Sequence, residues 1–178
     1  MNYNMAKGLV LIANACGTTE VEVNGTEYKV YTYGDIKKDF IHYQENTINE
    51  YGAEALTQSE LEDIVEEQLK GTWWLDNWQE EMLYHEWEDL SEEQKADYDN
   101  EDDYVEQRMA EQDPLEYLNE FYGMEEIFNV ALREGEINID QICDYLEEIH
   151  GFNCLAYGRY IEEVWVEEEL QSYYVFKL

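Results

Sequence analysis

Ten cations cannot neutralise 44 carboxylates, and that imbalance constrains this chain more than any other property. The 178 residues carry a formal net charge of −34. A compact body with that balance repels itself, which costs stability. Apolar burial must therefore hold it, and the means are present. Hydrophobic residues make up 44% of the chain and include 5 Trp, 16 Tyr and 5 Phe. Acidic tails and solvating linkers reach high charge by discarding aromatics. The sequence thus predicts a protein that folds against its own charge and keeps that charge for a function.

The density of the charge suggests which function. Duplex DNA carries one charge per about 1.7 Å of axis, roughly one per 110 Å² on a cylinder of about 10 Å radius. A folded chain of 21.3 kDa exposes roughly 9,000 Å². Spread evenly, 34 net charges reach roughly 40% of the DNA density. Gathered on half the surface, they reach roughly 80% of it, a comparable density. Such a surface repels nucleic acid and anionic membranes and attracts basic clefts. The competing reading is an ordinary acidic protein, halophilic or merely soluble. Halophilic adaptation alone would not demand so many large aromatics.

The length fits one domain or two small ones. No apolar run approaches the ~18 residues of a membrane span. The N-terminus lacks a cationic region followed by an apolar one and a cleavage site. Lys7 precedes only the short run Gly8 to Ala15, which reads as a strand. These features predict a cytoplasmic protein. Cys16, Cys143 and Cys154 are odd in number, widely spaced and form no CxxC pair, so neither a disulfide framework nor a zinc site is expected.

Residues 8 to 33 read as β-structure. Val21 and Val23, then Tyr28, Val30 and Tyr31, alternate around Asn24-Gly25, a strong hairpin signal because both turn residues need positive φ. From Asp35 the period becomes helical through Ile36, Phe40, Tyr43 and Ile48, with Gly52 as a stop. Thr57 and Glu60 make a capping box before Leu61, Ile64, Val65 and Leu69. Further helices are predicted from Trp73 to about Leu90, after Ser91, after Asp113-Pro114, around Ile127 to Leu132, and from Ile139 to Ile149. Tyr173 to Leu178 reads as a strand, and 155 to 170 stays ambiguous. The expected class is α+β: an N-terminal hairpin or small antiparallel sheet with a mainly helical, strongly acidic body. A boundary near 53–57, separating 1–54 from 55–178, and one continuous domain are both compatible with the pattern.

The acid is concentrated. From Glu60 to Glu126 there are 25 Asp and Glu against only Lys70, Lys95 and Arg108, a net of −22 over 67 residues. Like charges four apart on a helix destabilise it by a few tenths of a kcal/mol. A sequence seeking only solubility would alternate signs. The carboxylates of Glu80, Glu81, Glu86, Glu88, Asp89, Glu92, Glu93, Asp97, Asp99, Glu101, Asp102, Asp103 and Glu106 therefore read as stand-ins for phosphates; the alternative is a solvated face. Tyr84, Tyr98, Tyr104 and Tyr117 are candidate interface anchors beside them, whereas Trp73, Trp74 and Trp78 read as core.

Other chemistries fit poorly. Counted as a calcium loop from Asp97, the sixth position is Asp102 instead of Gly and the twelfth is Arg108 instead of Glu. His85-Glu86-Trp87-Glu88-Asp89 lacks the second His of HExxH. No phosphate-binding glycine loop or nucleophile elbow occurs. Neither catalysis, a cofactor nor a bound metal is expected.

Two segments resemble motifs of ArdA-type antirestriction proteins. Ala156-Tyr157-Gly158-Arg159 resembles their C-terminal Tyr-Gly-Arg motif, and Gly71-Thr72-Trp73-Trp74-Leu75-Asp76 looks like their Gly-x-Trp-Ile-Asp motif. The resemblance implies an acidic DNA mimic, encoded by a phage or mobile element, that occupies the DNA site of restriction enzymes. The charge profile is also similar to that of acidic anti-CRISPR proteins, which fill the DNA channel of Cas nucleases. The expected function is thus non-catalytic inhibition of a defence nuclease in a bacterial cytoplasm. The partner would be a basic nucleic-acid-binding protein, a Cas nuclease or restriction-modification enzyme, with no direct binding of nucleic acid or membrane. A homodimer could lengthen the acidic surface. An acidic adaptor or chaperone for a basic cellular protein is the alternative.

Overall fold

A computed structural model describes residues 1–156, 161–167 and 169–178. The protein is α+β, with a four-stranded antiparallel sheet and a larger helical part. It divides into two compact units, Met1–Thr47 with Ile139–Leu178, and Ile48–Asn138.

The first unit opens with a helix, α1 (Tyr3–Cys16), where the sequence suggested a strand. The run Leu9-Val10-Leu11-Ile12 is too short to set a period by itself. The deciding residues lie outside it. Asn2 caps the start by accepting from the Met5 amide at 3.0 Å, and Gly17 closes the end in the left-handed region. Ala6, Leu9, Val10 and Ala13 then fall at i, i+3, i+4 and i+7 and are buried, while Leu11 and Ile12 face out.

The hairpin forms where predicted. Strands β1 (Glu20–Val23) and β2 (Thr26–Thr32) pair across Asn24 (φ 54°) and Gly25 (φ 73°). The sheet is completed from the far end of the chain by β3 (Glu162–Val166) and β4 (Gln171–Lys177), in the order β1-β2-β4-β3. One sheet face packs Val21, Val30, Val164 and Val175 against the buried stripe of α1. The other carries Tyr31 stacked on Phe176, and Tyr31 donates to Asp39 at 2.7 Å on α2 (Tyr33–Tyr51). Helix α8 (Ile139–His150) buries Ile142, Cys143 and Leu146 and meets α2 through Lys37, which bridges Asp144 (2.9 Å) and Glu147 (3.0 Å).

The second unit is helical: α3 (Gln58–Leu69), α4 (Trp73–Asp89), the short α5 (Glu92–Lys95), α6 (Glu101–Glu111) and α7 (Pro114–Glu134). Its starts follow local rules. Thr57–Glu60 and Ser91–Gln94 form complete capping boxes, and Asp113 caps α7 ahead of Pro114. Helix α7 is broken at Gly123 (φ 79°, ψ 155°), so the two predicted helices run on with one non-helical residue between them. Leu61, Ile64, Leu69, Leu75, Leu83, Leu118, Ile127 and Phe128 form the core. This unit holds 29 acidic and four basic residues, net −25 of the total −34.

Candidate functional site

The thirteen candidate carboxylates all belong to the helical unit and fall on α4, α5, α6 and the turns between them. Leu75, Gln79 and Leu83 define the buried face of α4, at four-residue spacing. Glu81, Glu88 and Asp89 lie off that face and are exposed. Ser91 holds Glu92 and Glu93 in the first turn of α5, where the helix N-terminus favours anions. Asn100 accepts from the Asp103 amide at 3.1 Å and fixes Glu101, Asp102 and Asp103 in the first turn of α6. Nine of the thirteen are exposed: Glu81, Glu88, Asp89, Glu92, Glu93, Asp97, Asp99, Asp102 and Glu106. Glu80, Glu86, Glu101 and Asp103 are half-buried.

Compensation is sparse. Among the described residues, the one Lys, Arg or His nitrogen within 4.0 Å of any of the thirteen carboxylates is His85 Nδ1, beside Glu88. Lys95 sits in the middle of the segment yet points elsewhere. Its ammonium lies 5.4 Å from the Trp87 ring centroid and donates to the Glu88 backbone carbonyl at 3.3 Å. The arrangement leaves most of the carboxylates without a counter-charge in the fold.

Three of the thirteen also serve the fold. Asp102 accepts from the Tyr84 hydroxyl at 3.0 Å, a bond that raises the Tyr84 pKa. Asp103 accepts from the Asp99 amide at 3.1 Å. Glu86 accepts from the Tyr117 hydroxyl at 3.3 Å. Burial first, then the neighbouring Glu86, pushes the Tyr104 phenol up to about 12; burial and Glu86 raise Tyr117 as well.

The aromatic expectations need correction. Tyr104 and Tyr117 are core residues, each 3% exposed, and not interface anchors. Tyr104 packs against Tyr98 and Trp87, with ring centroids 4.9 and 5.5 Å away, and Tyr117 packs on Phe121 at 4.9 Å. Tyr84 and Tyr98 are half-buried. Conversely, Trp73 is 77% exposed. It lies two residues before Leu75, roughly 200° around the helix from the buried face.

Trp74 and Trp78 are half-buried walls of a cleft of about 320 Å³ between α4 and α7. Their rings meet edge-on at 63° with centroids 5.2 Å apart. The Trp74 indole N–H donates to Glu134 at 2.9 Å, and Trp78 packs on Tyr122 at 4.9 Å. Asn77, Glu81, Val130 and Glu134 complete the lining. Trp74, Asn77, Trp78 and Glu81 stand at i, i+3, i+4 and i+7, the spacing that places residues on one helix face.

No group of three or more His, Cys, Asp or Glu is gathered to hold a metal ion among the described residues. No described helix is long and apolar enough to cross a membrane. Of the two segments that resemble antirestriction motifs, Tyr157, Gly158 and Arg159 lie outside the described residues. The other opens α4: Gly71 takes φ 74° and the Thr72 hydroxyl accepts from the Leu75 amide at 3.4 Å. Set against known proteins, the chain matches no family model, no curated protein and no solved structure.

Proposed function

We propose that this protein is a non-catalytic nucleic-acid mimic that occupies the basic cleft of a bacterial defence nuclease, of CRISPR-associated or restriction type. The observation that carries the reading is the uncompensated surface between Glu80 and Glu106. Nine of its thirteen carboxylates are exposed, and its one lysine is directed at an indole ring and a backbone carbonyl. A fold maintained only for solubility gains by interleaving opposite charges. Here repulsion is tolerated along three successive helices, as expected of a surface that meets cations elsewhere. Steering by such a field raises association rates by about 10- to 1,000-fold at low salt.

The test is competition. Duplex DNA binding by candidate restriction and CRISPR-associated nucleases is measured with and without the protein. Displacement of DNA that weakens with added salt, and falls about tenfold or more when the nine exposed carboxylates become amides, is the expected result. If no nuclease loses DNA, the reading fails. Capture of a basic cellular protein whose nucleic-acid site stays open would favour an adaptor instead.

A further inference from the structure

Resting on that reading for the nature of the partner, we propose that the Trp74–Trp78 cleft is a receptor for one arginine side chain of the basic protein. The cleft combines three properties. Its walls are two indoles, the aromatic faces that attract cations most strongly. Its polar lining is the Glu81 and Glu134 carboxylates, which only accept, and the Asn77 amide, whose oxygen is a further acceptor beside its NH2. At about 320 Å³ it lies at the small end of ligand cavities, suited to a single side chain.

The walls are held in place before any ligand arrives. Glu134 fixes the Trp74 indole through its N–H, and Tyr122 backs Trp78 while its hydroxyl meets the Met82 sulfur at 2.8 Å. The acceptors are available. Among the described residues no hydrogen bond or ion pair engages the Glu81 carboxylate or the Asn77 amide, and Glu134 uses one oxygen for Trp74. Of the thirteen candidate carboxylates, Glu81 is the one that lines this cleft. It joins the acidic surface to an aromatic socket.

The choice of guanidinium over ammonium follows from the donor pattern. A planar group with five N–H donors can lie on an indole face and still direct bonds sideways to separate acceptors. A compact ammonium is strongly hydrated and gains less from the ring. Arginine and tryptophan are also the residue types that dominate interface hot spots, where a side chain is seated in a preformed pocket.

The experiment uses the full chain with its five tryptophans labelled at the indole nitrogen. N-acetyl-arginine amide is titrated at moderate salt while the indole N–H resonances are followed. The expected result is a saturable shift of Trp74 and Trp78, with Trp73, Trp87 and Trp165 unmoved. N-acetyl-lysine amide should bind about threefold more weakly or worse. Glu81→Gln should weaken arginine binding by about fivefold; because Glu81 is exposed, that variant keeps its fold where Trp78→Leu could lose it. Equal shifts at all five indoles, no shift at Trp74 and Trp78, or equal affinity for lysine would each overturn the proposal. The two readings fail separately. A chain that displaces DNA from a nuclease but shows no selective indole shift loses the socket. One that takes arginine amide here yet competes with no nuclease keeps the socket and loses the mimicry.

Discussion

Glu86 has two duties that pull in different directions. It belongs to the acidic surface, yet it accepts from Tyr117 and stands beside Tyr104, two phenols buried in the helical core. Burial and the adjacent carboxylate both favour the neutral phenol, so both tyrosines hold their protons more tightly folded than unfolded. The sign follows from linkage. Below about pH 10 the unfolded tyrosines are also neutral, and the contribution is fully present. As pH rises beyond that, the unfolded chain ionises first and stability falls until Tyr104 itself titrates at about 12. Denaturant unfolding at a series of pH values should show a plateau, then a decline of about 1.4 kcal/mol per pH unit for each such tyrosine above pH ~10. The double variant Tyr104→Phe, Tyr117→Phe should lose part of that decline; an unchanged decline would show that other groups produce it. The burial of Tyr104 could not be read from its sequence neighbours, because its ring partners Trp87 and Tyr98 sit on α4 and in the α5–α6 turn.

Two glycines separate the effect of backbone conformation from that of space. A Cβ at Gly8 in α1, or at Gly123 in α7, would meet nothing within 4 Å. Gly8 has ordinary helical conformation, so Gly8→Ala should raise stability by about 0.5–1 kcal/mol. Gly123 has φ 79° and ψ 155°, a region that side-chain-bearing residues avoid, so Gly123→Ala should cost about 1–3 kcal/mol. Urea unfolding of both variants checks the pair, and equal effects would contradict it. The same contrast explains what the sequence made legible at this scale. Signals completed within a few residues were readable: Asn24-Gly25 in the hairpin, Thr57–Glu60 and Ser91–Gln94 as boxes, Asp113-Pro114 as a start. Helix α1 was not legible, because its apolar run is four residues long and its cap, Asn2, stands seven residues before it. The placement of β4 between β2 and β3 has no local signature, since it joins residues about 145 apart in sequence. The candidate site was legible as a composition of exposed acid. Its socket was not, because Val130 and Glu134 come from a helix some 50 residues away.

For the whole molecule, one property acts on folding and on binding with opposite consequences. Of the net −34, −25 lies in the unit Ile48–Asn138. The repulsion this creates opposes folding, whereas the attraction it creates would drive capture of the basic partner proposed above. Added salt shortens the screening length from about 30 Å at 0.01 M to about 10 Å at 0.1 M, so it weakens both. The melting temperature should therefore rise with sodium chloride, by about 2–4 °C for each kcal/mol of repulsion relieved. Association with the partner should slow over the same range. Replacing the nine exposed carboxylates by amides removes the source instead of screening it. That variant should melt higher than the parent at low salt, respond less to added salt, and bind the partner more slowly. Parallel thermal melts and association-rate measurements across one salt series would separate the possibilities. If the variant gains no stability at low salt, the band between Glu80 and Glu106 is not a strain on the fold, and charge retained against a cost can no longer be invoked for its function.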